Sequence, residues 1–224
     1  MLDNVYSTTT KAQPGVLLGI GNPLLDISGV ADKAFLDKYD LEADNQILCE
    51  EKHKPIFEDL VQNTNVSYLP GGAALNSIRA AQWSMQNNAE ADGATVYTGS
   101  VGDDDYQKEL KNQCDKTGVN AKFYFNKKGE PTGTCAVVIT NDGKDRSLVA
   151  NLAAANVFQE EGIDNVWADV ENAQYFYSTG FFQTTEGGPA AMARVGKYAA
   201  DNNKTVVMNL SAPFLCQFFR DQIN

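Results

Sequence analysis

Carboxylates, carboxamides and a guanidinium beside glycine turns are the groups from which a site for a polar small molecule is built, and this sequence offers three such groupings. Asn22 and Asp26 follow the apolar run Val16-Leu17-Leu18-Gly19-Ile20-Gly21, as expected of a strand buried on both faces. In open α/β sheets, ligands bind beyond the C-terminal ends of such strands. Gly71 and Gly72 separate the strand-like Val66 to Leu69 from a helix-like run in which Ala74, Ile78, Ala81 and Met85 share a face, with Asn76 on its first turn. Glycine admits positive φ and lets a ligand approach bare backbone, while the first amides of a helix are unused donors. Arg146 lies beside Leu148 and Ala150 on a strand-like run, where it can meet an anion or form a surface ion pair. Turns and caps employ the same Asn, Asp and Gly residues, so on residue types alone both readings stand.

Other chemistries are excluded. Gly19-Ile20-Gly21 is followed by Asn22-Pro23-Leu24 rather than a third glycine and an open helix start, so it is no dinucleotide fingerprint. No Gly-x-x-x-x-Gly-Lys loop occurs, and Glu186-Gly187-Gly188-Pro189 has no following lysine. Asp103, Asp104 and Asp105 precede a helix-like run from Tyr106 to Lys116 and read as capping residues, not metal ligands. Cys49, Cys114, Cys135 and Cys216 are far apart and His53 is the only histidine, which points to reduced thiols without a zinc site. His53 itself reads as a surface or capping residue. A net charge of −11 repels polyanions, so neither nucleic acid nor an anionic membrane is an expected partner. Met1 to Pro14 carries no apolar leader core and no run is long enough to span a bilayer, which makes the cytoplasm the default location.

The elements that must hold these residues form an α/β pattern. Residues 1–14 are expected to be a flexible tail and 15–224 one domain, with 43% apolar residues supplying the core. Strand-like runs at 94–99, 174–178 and 205–210 alternate with helix-like ones at 73–86, 106–116, 165–172 and 189–200. Two stretches depart from that rhythm. Ile27 to Cys49 is irregular, with a short strand at Gln46-Ile47-Leu48. From Ala121 to Leu152 the texture is of hairpins, with strands at Lys122 to Phe125, Thr134 to Thr140 and Asp145 to Asn151. Segments near 26–50 and 121–152 are therefore expected to form a small sheet able to cover a ligand. Phe181, after Gly180 at a strand end, belongs to the core or stacks on a flat base.

Six ordered motifs carry a resemblance. Gly19-Ile20-Gly21-Asn22-Pro23-Leu24-Leu25-Asp26, Gly71-Gly72-Ala73-Ala74-Leu75-Asn76, Pro131-Thr132-Gly133-Thr134-Cys135, Arg146-Ser147-Leu148 with Asn151 to Asn156, Gly180-Phe181-Phe182 and Asn209-Leu210-Ser211-Ala212-Pro213-Phe214 are together similar to eukaryotic-type adenosine kinases, within the ribokinase-like carbohydrate kinases. The similarity runs from about Gly19 to the last residue. It implies a three-layer α/β core with a small β-sheet lid, and transfer of phosphate from ATP, with Mg2+, to the 5′-hydroxyl of adenosine, giving AMP in purine salvage. Carried over, Asp26 accepts hydrogen bonds from the ribose hydroxyls, and Asn22, Gly71, Gly72 and Asn76 complete the sugar contacts. Leu24, Gln46, Leu48, Cys135, Leu148, Ala150 and Phe181 line the nucleoside pocket. Arg146 approaches the transferring phosphoryl group, and Asn209 lies on the phosphate side. The resemblance also implies a protein that is monomeric when complete and cytoplasmic, with the nucleus as a second location. One departure matters: the family's Asn-x-x-Glu and Asp-Thr-x-Gly-Ala-Gly-Asp segments, the latter ending in the general base, do not occur in these 224 residues. The chain is thus expected to be a fragment, truncated before the C-terminal ATP-binding part, with doubtful activity alone. Another sugar or nucleoside kinase of the superfamily, or a noncatalytic nucleoside-binding protein, are the alternatives.

Overall fold

The computed structural model describes residues 12–86 and 93–220, so most of the expected N-terminal tail lies outside the described residues. In chain order the strands are β1 (Leu17–Ile20), β2 (Leu24–Val30), β3 (Gln46–Leu48), β4 (Ser67–Gly71), β5 (Thr95–Thr98), β6 (Ser100–Val101), β7 (Asn120–Ala121), β8 (Tyr124–Phe125), β9 (Thr134–Thr140), β10 (Asp145–Asn151), β11 (Tyr175–Thr179) and β12 (Thr205–Asn209). The α-helices are α1 (Lys33–Lys38), α2 (Ile56–Asn63), α3 (Ala73–Gln86), α4 (Asp105–Lys116), α5 (Trp167–Asn172), α6 (Gly188–Asp201) and α7 (Pro213–Phe218).

The apolar run at the start of the chain becomes β1, which sits in the middle of a parallel sheet of order β12-β11-β1-β5-β7. Leu18 and Ile20 point to one side, into a core with Val96, Phe158, Phe176, Phe182 and Val195. Gly19 points to the other, where a Cβ would lie 2.3 Å from Ile78 of α3. Glycine there lets α3 pack directly on the strand. Asp104 caps α4 by accepting the Gln107 N–H at 2.8 Å, as its position before that helix predicts.

A second sheet of order β3-β10-β9-β2-β4 stands apart from the first. One of its faces is covered by α1 and α2, where Ile27, Ala136, Val138 and Val149 pack against Leu36, Tyr39, Ile56 and Leu60. Its membership departs from the sequence reading in three ways. Residues 27–30 continue a seven-residue strand, 24–30, rather than opening an irregular excursion, because Leu25 and Ile27 are fully buried and alternate with the half-buried Asp26 and Ser28. The Val66 to Leu69 run feeds β4, the edge of this sheet, not the parallel sheet. Residues 120–125 do not belong to it: β7 pairs with β5 and β8 pairs in parallel with β6. Buried aromatic residues win there over the hairpin signal, since Phe123 packs edge-on against Tyr97 and Tyr124 against Phe158. Asn126 then closes the turn through its side-chain amide, donating to Val101 O and Glu130 O. The Asn141-Asp142-Gly143 turn does join antiparallel strands, with Thr140 opposite Asp145. His53 is a cap but not a surface residue, for it is buried and its Nδ1 accepts the Glu50 N–H at 3.1 Å.

Candidate functional site

Side chains alternate across a strand, so the register of the second sheet decides which residues share its other face. Asp26 is opposite Cys135, Cys135 opposite Ala150, and Ala150 opposite Leu48. Two residues along, Leu148 is opposite Gln46, and Leu24 is opposite Gly71. Arg146 has the parity of Leu148 and Ala150. Eight of the residues that sequence reasoning carried into a site, together with the bare backbone of Gly71, therefore meet on the one face that α1 and α2 do not cover. Leu24, Cys135, Val137 and Ala155 form an apolar floor there, with Leu148, Ala150 and Leu152 packed against it. Gln46 and Leu48, on the edge strand β3, are exposed, Leu48 to 64%.

Asp26 is the one carboxylate in this row. Burial pushes its pKa up from 3.8 to about 6, against the opposing charges of Arg79 and Arg146. Its carboxylate lies on bare backbone: a Cβ on Gly71 would fall 2.0 Å from Asp26 Oδ1 and 2.6 Å from Oδ2. Gly72 has φ +95°, and a Cβ there would fall 2.2 Å from the Asn22 carbonyl oxygen. The Gly71-Gly72 turn thus lets three segments, β2, the end of β1 and the start of α3, close on one point. The Cys135 thiol beside Asp26 is buried and held far above its ordinary pKa by burial and by the Asp26 charge, so it is a neutral wall and not a nucleophile.

The remaining candidates come from the parallel sheet. Asn22, just past β1, donates from Nδ2 to Ala155 O at 2.8 Å and leaves its buried Oδ1 without a partner among the described residues. Asn76 is on the first turn of α3, and its Oδ1 accepts from Arg79 Nη1 at 3.0 Å. Phe181 follows β11 and is half-buried. Asn209 ends β12 with its Oδ1 accepting the Ser211 N–H at 2.7 Å, so that oxygen is already engaged. Arg79 was not singled out by its sequence position. An arginine on a helix reads as solvated, and the one local signal was its spacing three residues after Asn76.

A profile of the pfkB family of carbohydrate kinases matches residues 33–224. The chain is 47% identical over 209 residues to adenosine kinase 1 of Arabidopsis thaliana, covering 92% of this chain and 58% of that protein. It is 41% identical over 210 residues to the adenosine kinase of Dictyostelium discoideum, covering 93% and 59%. Among solved structures, the apo adenosine kinase of Trypanosoma brucei brucei superposes with a TM-score of 0.87 at 37% identity, covering 94% of this chain and 62% of that one. Adenosine kinase from Schistosoma mansoni in complex with adenosine, in an occluded loop conformation, gives 0.82 at 35% identity, covering 94% and 59%. The chain therefore spans about three-fifths of the length of these relatives, between 58% and 62%.

Proposed function

The chain belongs to the pfkB family of carbohydrate kinases, and from that premise we propose that it supplies the nucleoside-binding part of an adenosine kinase. The observation that carries this reading is the single row on the open sheet face, with one carboxylate set over the bare backbone of Gly71 beside an apolar floor. Ribose presents adjacent hydroxyl donors, and an ionised carboxylate accepting both gives strong, directional bonds once water is excluded. A flat neutral base needs little but apolar wall, which Leu24, Cys135, Leu148 and Ala150 provide.

In this reading the second sheet acts as the lid. Its closure over the nucleoside excludes water and carries Arg146 toward the phosphoryl group passing from ATP to the 5′-hydroxyl, where positive charge stabilises the transition state. Asn22, Gly72 and Asn76 hold the sugar, Phe181 stacks at the rim, and Asn209 faces the phosphate side. Mg2+ accompanies ATP in such a reaction, yet among the described residues no group of three or more His, Cys, Asp or Glu side chains is arranged to hold a metal. No step is assigned to the ion. The proton of the 5′-hydroxyl is likewise assigned to no residue, because the Gly-Ala-Gly-Asp segment does not occur in this sequence. The reading carries with it a cytoplasmic role in purine salvage, adenosine as the small-molecule substrate, and little phosphoryl transfer by these 224 residues alone.

Calorimetry on the chain tests it. Adenosine is expected to bind, bare ribose to bind weakly or not at all, and Asp26→Ala to lower adenosine affinity at least about tenfold. Equal binding of ribose and adenosine would redirect the reading to a sugar kinase, and an Asp26→Ala affinity within a few-fold of wild type would remove the ribose assignment.

A further inference from the structure

Arg79 lies on α3 between two residues of the candidate site. One of its nitrogens, Nη1, donates to Pro70 O at 2.8 Å and to Asn76 Oδ1 at 3.0 Å. Pro70 O belongs to the peptide that leads into Gly71, and Gly71 is the residue against which the Asp26 carboxylate rests. We propose that Arg79 is a positioning residue of the site, fixing the Pro70–Gly71 peptide under the Asp26 carboxylate and the Asn76 carboxamide in one orientation. The inference rests on the nucleoside reading given above and adds to it a polarity. Arginine is a donor only, so Asn76 must turn its oxygen toward Arg79 and offer its Nδ2 outward. From this pair the ligand then meets an acceptor, Asp26, and a donor, Asn76. A hydroxyl oxygen that receives a bond from Asn76 while its neighbour donates to Asp26 satisfies both.

Two further observations agree. Arg79 Nε is buried with no hydrogen-bond partner, an arrangement that stability alone does not favour. The Arg79 charge is also the larger of the two that oppose the effect of burial on Asp26.

The decisive experiment follows the Asp26 carboxyl by 13C NMR as a function of pH in the wild-type chain, Arg79→Gln and Arg79→Lys, with adenosine affinity measured on the same proteins. The wild-type midpoint is expected near the value of about 6 that burial and the two arginines set. In Arg79→Gln it should rise by about one pH unit, and adenosine affinity at pH 7.5 should fall about tenfold. Arg79→Lys keeps the charge and a single donor nitrogen. Its midpoint should stay near wild type with affinity partly restored, a rescue that simple loss of helix packing would not give. Arg79→Met, which keeps the apolar stem, is carried in parallel in case Gln perturbs α3. A midpoint unmoved in a Gln or Met variant whose melt matches wild type overturns the proposal. A wild-type chain that binds no adenosine overturns the nucleoside reading instead, while the titration, which needs no ligand, still decides for or against Arg79.

Discussion

Asp26 illustrates how a binding residue is set against the stability of its own fold. Its carboxyl has a folded pKa of about 6 against an ordinary 3.8, so between those values the folded chain holds a proton that the unfolded chain has released. Stability from this group is present below the unfolded pKa and is lost as pH rises through the folded one. Burial of the ion costs at most about 3 kcal/mol by that difference, and partial hydration brings it nearer 1–2 kcal/mol. Asp26→Asn removes the ion and keeps the shape. It is expected to melt higher than wild type at pH 7.5 by a few degrees, with the gap closing at pH 4.5 where the wild-type residue is neutral in the fold. Scanning calorimetry at both pH values checks this, and a gap that does not depend on pH would mean that Asp26 is solvated. At this scale the sequence was informative wherever chemistry coincided with punctuation. Asn22, Gly71 and Gly72 stand at a glycine or a strand end, and Asp26 and Asn76 follow such a point within six residues. Arg79 stands beside neither, and its importance arises from contacts that only the packing of α3 on β4 creates.

At the scale of elements, Gly71 and Gly72 are neighbours with opposite duties. The atoms a Cβ on Gly71 would strike are those of the Asp26 carboxyl group, at 2.0 to 2.6 Å, a side-chain group that a change of rotamer moves. Gly71→Ala is therefore expected to fold with a melt close to wild type while losing adenosine affinity at least about tenfold, since the displaced carboxylate is the ribose acceptor. The atom a Cβ on Gly72 would strike is the Asn22 backbone oxygen at 2.2 Å, and Gly72 also has φ +95°. Neither the clash nor the backbone conformation can be relieved by a rotamer, so Gly72→Ala should destabilise by about 2–3 kcal/mol, measured by urea unfolding. Reversal of the two phenotypes would mean that the turn is held differently. The strand, glycine turn and helix start at 67–86 were legible because their signals are local. The hairpin expected at 122–140 was not formed, because the burial of Phe123 and Tyr124 among aromatic partners from distant segments outweighs a turn signal.

For the whole molecule, the order of motifs along the chain was enough to indicate an α/β kinase-like fold, and the parallel sheet centred on β1 agrees with it. What sequence patterns did not disclose is how strands are divided between two sheets. β2 and β4 lie in sequence between β1 and β5 of the first sheet yet join the second, and that choice depends on pairings between residues far apart. The same division leaves β12 as an outermost strand, paired only with β11 among the described residues. Its Val207 is 48% exposed, and Phe218 of α7 is 76% exposed. An outer strand with apolar residues on view and no charge, bulge or proline of its own is a template for pairing with another strand. The purified 224-residue chain should accordingly self-associate as its concentration rises, with sedimentation velocity reporting species larger than its 24.4 kDa. Val207→Lys places a charge on that strand, in the other sheet from Asp26, so it should shift the distribution toward monomer and leave adenosine binding within about twofold of wild type. If Val207→Lys and wild type sediment alike at every concentration, β12 is not the contact, and the apolar surface around Phe218 becomes the next surface to charge.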